Sequence, residues 1–320
     1  MTDSRGKKAS ARPRWGTALC VFSLLAAPLG ARAKEQPSAL ESLRRLAPGQ
    51  ARPLPAPPTK AAPSYRPIAP VAANPDSYDD NDAFRRQMLA PGHSDEYLVR
   101  TDLGGILLVV EKGYLDARQT AGLVFELQQA VYEVPRLTGR PPLVRKRFTV
   151  YVYDRGPISE SGVPGALPGE TGIMLAWVKE GNAPIFHEMT HLLAGYGRSQ
   201  SLAEGVACAV QGRLRPGVAA APFMVAHADP DKEARRILAQ DPPGLVEGLG
   251  EPGHYSFSSQ RIRVDFYWAS WSFVDFLLRQ DGMAKLWTLI DAGGTPAAYQ
   301  KIYGTSYASL FADWNQDIKR

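Results

Sequence analysis

Cysteine is almost missing from this 320-residue chain: Cys20 and Cys208 are the only two. Cys20 lies in an apolar run near the N-terminus, so a chain trimmed of that run keeps Cys208 alone. An intramolecular disulfide is then excluded; the chain tolerates an oxidising compartment without using it. Cys208 reads as a buried small residue on an apolar helix rather than a nucleophile or ligand. A net charge of one sign is missing too. The chain carries 37 Lys+Arg against 32 Asp+Glu, but residues 1–33 hold six of those bases and one acid, which leaves 31 of each in the remainder. The pI near 9.1 therefore belongs to the N-terminal segment, and no field argues for nucleic acid or for an acidic substrate. The apolar run Trp15 to Leu29 falls short of the ~20 residues a membrane-spanning helix needs. Arg5, Lys7, Lys8, Arg12 and Arg14 precede it and Ala31-Arg32-Ala33 follows it, the pattern of a cleavable export signal over 1–33. A single membrane anchor is the competing reading. The expectation is an exported protein, periplasmic or secreted, with no stable membrane span after cleavage.

Histidine is scarce as well, with five in the chain, yet two fall inside His187-Glu188-Met189-Thr190-His191. Positions i and i+4 share one face of a helix, so both imidazoles can aim at one metal ion. Glu188 follows the first of them and can take a proton from a metal-bound water. Helix signals surround the motif. Gly181-Asn182 offers an N-cap, Pro184 a first turn, and Gly195 and Gly197 a left-handed stop. Ile185, Phe186, Met189, Leu192 and Leu193 supply an apolar surround, which argues against the bland alternative, an exposed helix with two chance histidines.

A catalytic zinc takes three protein ligands and keeps one position open. A histidine at position 197 would complete one known spacing, but Gly197 stands there; an acidic residue near 211 would complete another, but that position is Gln211. Between His191 and Asp229 the only carboxylate is Glu204, in Leu202-Ala203-Glu204-Gly205-Val206-Ala207. Gly205 and Ala207 would let this helix approach the first one closely. The competing reading of Glu204 is a solvated glutamate near a helix N-terminus, favoured by the macrodipole. Phe186 to His191 followed by Leu202 to Ala207 resembles the short-spaced gluzincins of the peptidase MA-like superfamily, in which a (W)L-x-E-G-x-A helix follows H-E-x-x-H. That resemblance implies Glu204 as the third ligand and Zn²⁺ as the cofactor. The chain departs from the pattern at Ser201, where the family has Trp. Tyr267-Trp268-Ala269-Ser270-Trp271-Ser272-Phe273-Val274 is similar to the family's Y-x-x-A-x-S-F-V helix, and Gly282 to Trp287 and Phe311 to Trp314 to its closing helices, so the likeness covers roughly residues 95–320. It implies a Tyr or His that stabilises an oxyanion. Tyr267 is the candidate, Tyr255 and His254 are rivals, and a plain core aromatic is the competing reading for each.

Three segments follow along the chain. Residues 1–33 are the export signal. Residues 34–92 are a Pro/Ala-rich linker or pro-segment, with a short amphipathic helix at 38–46 and nine of the 27 prolines between 48 and 75, a composition that cannot bury a core. Residues 93–320 form the metallopeptidase-like domain, long enough for a substantial core, with a sheet and the zinc helices over 93–215 and a helical lobe over 216–320. Strands are expected at 96–100, 106–110, 148–154 and 171–178, a helix at 116–134, a Gly/Pro loop at 156–169, a lid or cleft rim at 217–262, and helix from 264 on. By resemblance, 171–178 would hold substrate backbone by β-addition. The fold class is α+β and zincin-like: a small mixed sheet packed on the H-E-x-x-H helix, then an all-helical C-terminal lobe.

These readings imply an exported zinc-dependent metallohydrolase acting on a peptide or protein substrate, with His187, His191 and Glu204 on the metal, Glu188 as general base and Tyr267 as oxyanion donor. The alternative is a zinc-stabilised, non-catalytic envelope binding or scaffold protein, and a third possibility is hydrolysis of another bond, such as one in the cell wall.

Overall fold

The computed structural model describes residues 85–154, 159–240, 245–250 and 260–320. The expected export signal, the Pro-rich arm as far as residue 84, and the rivals His254 and Tyr255 lie outside the described residues. Five strands form one mixed sheet: β1 (Ser94–Val99), β2 (Ile106–Glu111), β3 (Phe148–Val152), β4 (Glu160–Pro164) and β5 (Thr171–Leu175), in the order β1-β2-β3-β5-β4. The pairs β2/β3 and β3/β5 are parallel, whereas β1/β2 and β4/β5 are antiparallel. Parallel neighbours need a long crossover, and α1 (Ala117–Thr138) supplies it between β2 and β3. The central strand β3, Phe-Thr-Val-Tyr-Val, is buried throughout, as a strand covered on both faces must be. Ile106, Leu108, Phe148, Val150, Ile173 and Leu175 face the main core, while Val109, Tyr151 and Met174 join Met88 in a second cluster.

Two local readings need correction. The stretch 156–169 is not wholly a loop, because β4 occupies 160–164. Gly162 at φ 79° and a register shift between Ser161 and Val163 mark a β-bulge, and Pro164 closes a strand on the sheet's edge, where a missing N–H costs no ladder bond. Thr171–Leu175 is not an edge, since β3 pairs on one side of it and β4 on the other. An extended peptide cannot add to it; β4 is the edge strand at this end of the sheet.

The helix expected at 116–134 begins as expected, with a capping box between Asp116 and Gln119, but runs through Pro135 to Thr138. Side-chain bonds hold its last turn, one local and one tertiary: Thr138 Oγ1 donates to the Val134 carbonyl at 2.8 Å, and Trp287 Nε1 donates to the Thr138 carbonyl at 2.9 Å. The remaining helices are α2 (Ile185–Ala194), α3 (Gln200–Leu214), α4 (Pro230–Leu238), α5 (Leu245–Gly250), α6 (Gln260–Asp291), α7 (Pro296–Tyr303) and α8 (Tyr307–Asp317). Among the described residues the C-terminal part is helical, with α6 broken at Gly282, where φ is 77° and ψ 177°. The segment expected as a lid holds α4 and α5. Helix α3 packs against the H-E-x-x-H helix, as expected, but Gly205 itself serves the approach to α6, since a Cβ there would fall 2.4 Å from the Ser270 carbonyl oxygen. Among the described residues no helix is long and apolar enough to cross a membrane.

Candidate metal centre

Helix α2 is short and entirely buried, so its opening N–H groups cannot turn to water. Pro184 caps it without a side-chain bond, and Asn182, expected as the cap, instead accepts the Ala219 N–H through Oδ1 at 3.2 Å. The capping acceptor comes from the neighbouring helix: Gln211 Oε1 receives the N–H of Phe186 at 2.8 Å and of His187 at 3.2 Å. The helix stops after Ala194, as expected, at a Gly195 of positive φ (φ 91°, ψ 169°) that lies outside the left-handed helical region. Helices α2 and α3 are therefore registered to each other at the position of the first ligand candidate.

That registration brings His187, His191 and Glu204 together, all buried. His187 Nε2 and His191 Nε2 each lie 3.1 Å from Glu204 Oε2, and 3.1 Å from each other. Two ring nitrogens and a carboxylate oxygen in an equal-sided triangle cannot all be satisfied by hydrogen bonds, because each Nε2–H points at one acceptor only. A tetrahedral ion with bonds of about 2.0–2.2 Å separates neighbouring donors by roughly 3.3 Å, close to the spacing here. The donor set, its burial and its spacing fit a metal. Burial pushes the Glu204 carboxyl up, but His191 and His187 outweigh it and hold it well below the usual carboxylate range. Burial also disfavours protonation of His191, which leaves a lone pair free to ligate. Ligation through Nε2 puts the His187 proton on Nδ1, 3.7 Å from the Cys208 sulfur.

Glu188 is 3% exposed. Burial raises its carboxyl to about 7; His187 opposes, Glu204 adds to the rise, and a hydrogen bond from Ser161 on β4 lowers it. Ser161 Oγ also meets the Tyr196 hydroxyl at 2.5 Å. If the one Ser161 proton goes to Glu188, Tyr196 is the donor in that contact. The Tyr196 ring stacks on His191, with centroids 3.9 Å apart and planes 7° apart. Tyr267, from α6, sits edge-on to His187 with ring centroids 6.2 Å apart, and burial, then Glu204, keeps its hydroxyl protonated. The structure thus brings His187, His191 and Glu204 together, with the Tyr267 ring beside His187 and the Glu188 carboxyl near enough to interact with His187 and Glu204.

Three participants escaped the reading of the sequence. Gln211 carried a usable signal: Glu204, Cys208 and Gln211 recur at i, i+4 and i+7, one face of α3, and that face meets α2. Ser161 stands in a Gly/Pro-rich stretch without strand periodicity, and Tyr196 lies outside any helix; neither had a local signal.

No family profile matches the chain, and no curated protein matches it. What the residues themselves define is a mixed α/β protein with a buried His-His-Glu group able to hold a metal ion.

Proposed function

We propose that this chain is an exported zinc-dependent peptidase of the gluzincin type. One observation carries the reading: the ligand-donating atoms of His187, His191 and Glu204 converge to 3.1 Å spacings, with the buried Glu188 carboxyl on the same helix. Zinc bound by such a set acts as a Lewis acid on a carbonyl oxygen and makes water more acidic. Glu188 is the proton carrier. A buried carboxylate beside the metal ligands can accept a proton from the attacking water and return it to the leaving amine. Ser161 holds Glu188 from the edge strand. Tyr267, kept protonated in its buried position, donates a hydrogen bond to the oxyanion. An extended peptide has β4, not β5, as its pairing edge at this end of the sheet. We read α2 packed against β4 and β5, followed by the helical C-terminal part, as a zincin-like arrangement.

The test is Glu188→Gln in the metal-loaded protein, assayed against a peptide library. Zinc content should stay at the parent level while kcat falls by about 10²–10⁴, the usual contribution of a general base. Full turnover by the variant overturns the mechanism. Failure of the zinc-loaded parent to cleave any peptide favours a non-catalytic binding protein or a different bond.

A further inference from the structure

We infer that Tyr196 is the positioning residue for His191, and that its ring does by stacking what an outer hydrogen bond does for other ligand histidines. The inference rests on the reading of His187, His191 and Glu204 as metal ligands. A ligating imidazole needs its plane fixed, and the usual device is a hydrogen bond from the second ring nitrogen. The two histidines here differ in that respect. His187 has Cys208 Sγ 3.7 Å from its Nδ1, and its backbone N–H is held by Gln211. His191 is just as buried, yet its Nδ1 finds no hydrogen-bond partner among the described residues.

What His191 has instead is a face. The Tyr196 ring lies nearly parallel to it, 7° between planes and 3.9 Å between centroids. Tyr196 is in turn held from both sides. Its hydroxyl meets Ser161 Oγ on β4. Its neighbours Gly195 and Gly197 take φ of 91° and 63°, the positive values that let the chain double back over the end of α2. A Cβ at Gly197 would fall 2.4 Å from Ile290 Cγ2, so this turn is seated against α6.

The stack also couples to metal. An imidazole that gives its lone pair to a divalent cation becomes electron-poor, and a phenol face attracts such a ring more strongly than a neutral one. The contact is then stronger in the metal-bound state, and by linkage Tyr196 tightens the metal.

The experiment compares zinc affinity, by chelator competition, in the full-length parent, Tyr196→Phe and Tyr196→Leu, together with the visible spectrum of each cobalt(II)-loaded form. Tyr196→Met fills the space with a flexible chain and no ring; it is measured alongside in case the leucine variant does not fold. Tyr196→Phe should stay within about twofold of the parent. Leucine and methionine should weaken zinc about 10–100-fold, the range for lost outer contacts, and shift the cobalt bands. Parent-like affinity and spectrum in the ring-less variants overturn the positioning role while the metal site stands. A loss in Tyr196→Phe equal to that of the ring-less variants also overturns it, because the hydroxyl would then be the effective group. A parent that takes up no zinc overturns the metal site itself and the inference with it.

Discussion

At the scale of the residue, the site is a problem of buried charge. Glu188 and Glu204 are 3% and 6% exposed, and both histidines are as deeply buried. Two carboxylates and two imidazoles buried close together are costly unless something neutralises them. A divalent cation would do so for Glu204 and, on the proposed function, would leave Glu188 to carry protons. Zinc binding should therefore be folding energy as well as chemistry: at a free-zinc concentration 100 times Kd the gain is about 2.7 kcal/mol. The expected outcome is a thermal midpoint that rises with added zinc and falls on chelation. In Glu204→Ala the response should disappear, with zinc affinity more than about 100-fold weaker, since losing a ligand costs more than losing an outer contact. A thermal scan with and without chelator checks both, and an unchanged midpoint in the parent would remove the metal from the account. Acidification should also release zinc, because ligation needs deprotonated imidazoles. His187 and His191 were legible in the sequence because i/i+4 geometry is local, whereas Glu204 was reached only through the family resemblance. Tyr196 and Ser161 were not, because their part in the site comes from a turn and an edge strand that only the tertiary structure brings beside α2.

At the scale of the element, the decisive contacts are between helices. Helix α2 is capped by α3 through Gln211, and α3 is pressed onto α6 at Gly205. Gln211→Leu would leave the Phe186 and His187 N–H groups buried without an acceptor, each a loss of about 1–3 kcal/mol. Gly205→Ala would drive a methyl to 2.4 Å from the Ser270 carbonyl oxygen and 2.5 Å from Val274 Cγ2, contacts that real side chains do not make. The two helices must separate, at a cost of typically 1–3 kcal/mol or more, and the strain falls one residue from Glu204. We expect Gly205→Ala to lower both the denaturant midpoint and zinc affinity. A variant as stable as the parent would mean that α6 yields without resistance. The small residues around Glu204 were visible in the sequence, and so was the need for a close neighbour. Which neighbour was not, because Ala and Gly announce proximity without direction. Strand β3 was legible from its alternation and β4 was not, since Gly162 and Pro164 are turn residues whose use in a bulged edge strand depends on pairing with β5. Helix α1 passes Pro135 for a similar reason, its last turn being held by Trp287 from the other end of the chain.

At the scale of the whole molecule, the helical lobe carries a titrating group of its own. Asp275, on α6, is raised from the usual carboxyl range to about 6: burial is the main cause and Asp231 adds to it, while Arg279, Arg213 and a hydrogen bond from Trp271 oppose it. The arginine that faces it is shared, since Arg279 also pairs with Asp231 at 3.4 Å and with Asp317 at 2.9 Å. A carboxyl whose folded-state pKa lies above its unfolded value binds its proton more tightly when folded. Its contribution to stability is fully present below about 3.8, the ordinary aspartate value, and is lost as pH rises through about 6. Above that the folded protein must hold a half-buried charge, at a cost of about 3 kcal/mol from a shift of this size. Asp275→Asn keeps the shape and an acceptor for Trp271 and removes the titration. It should therefore raise the thermal midpoint by several degrees at pH 7, on a scale of roughly 2–4 °C per kcal/mol for a domain of this size, and leave it unchanged near pH 4. Paired melts of parent and variant across pH 4 to 8 test this. A gain at pH 7 that persists at pH 4 would assign the effect to packing, and no gain at either pH would mean that Arg279 and Arg213 already compensate the charge in full. A midpoint lowered by the variant at pH 7 would make the Asp275–Arg279 attraction a stabilising ion pair, the opposite sign to the one argued from burial.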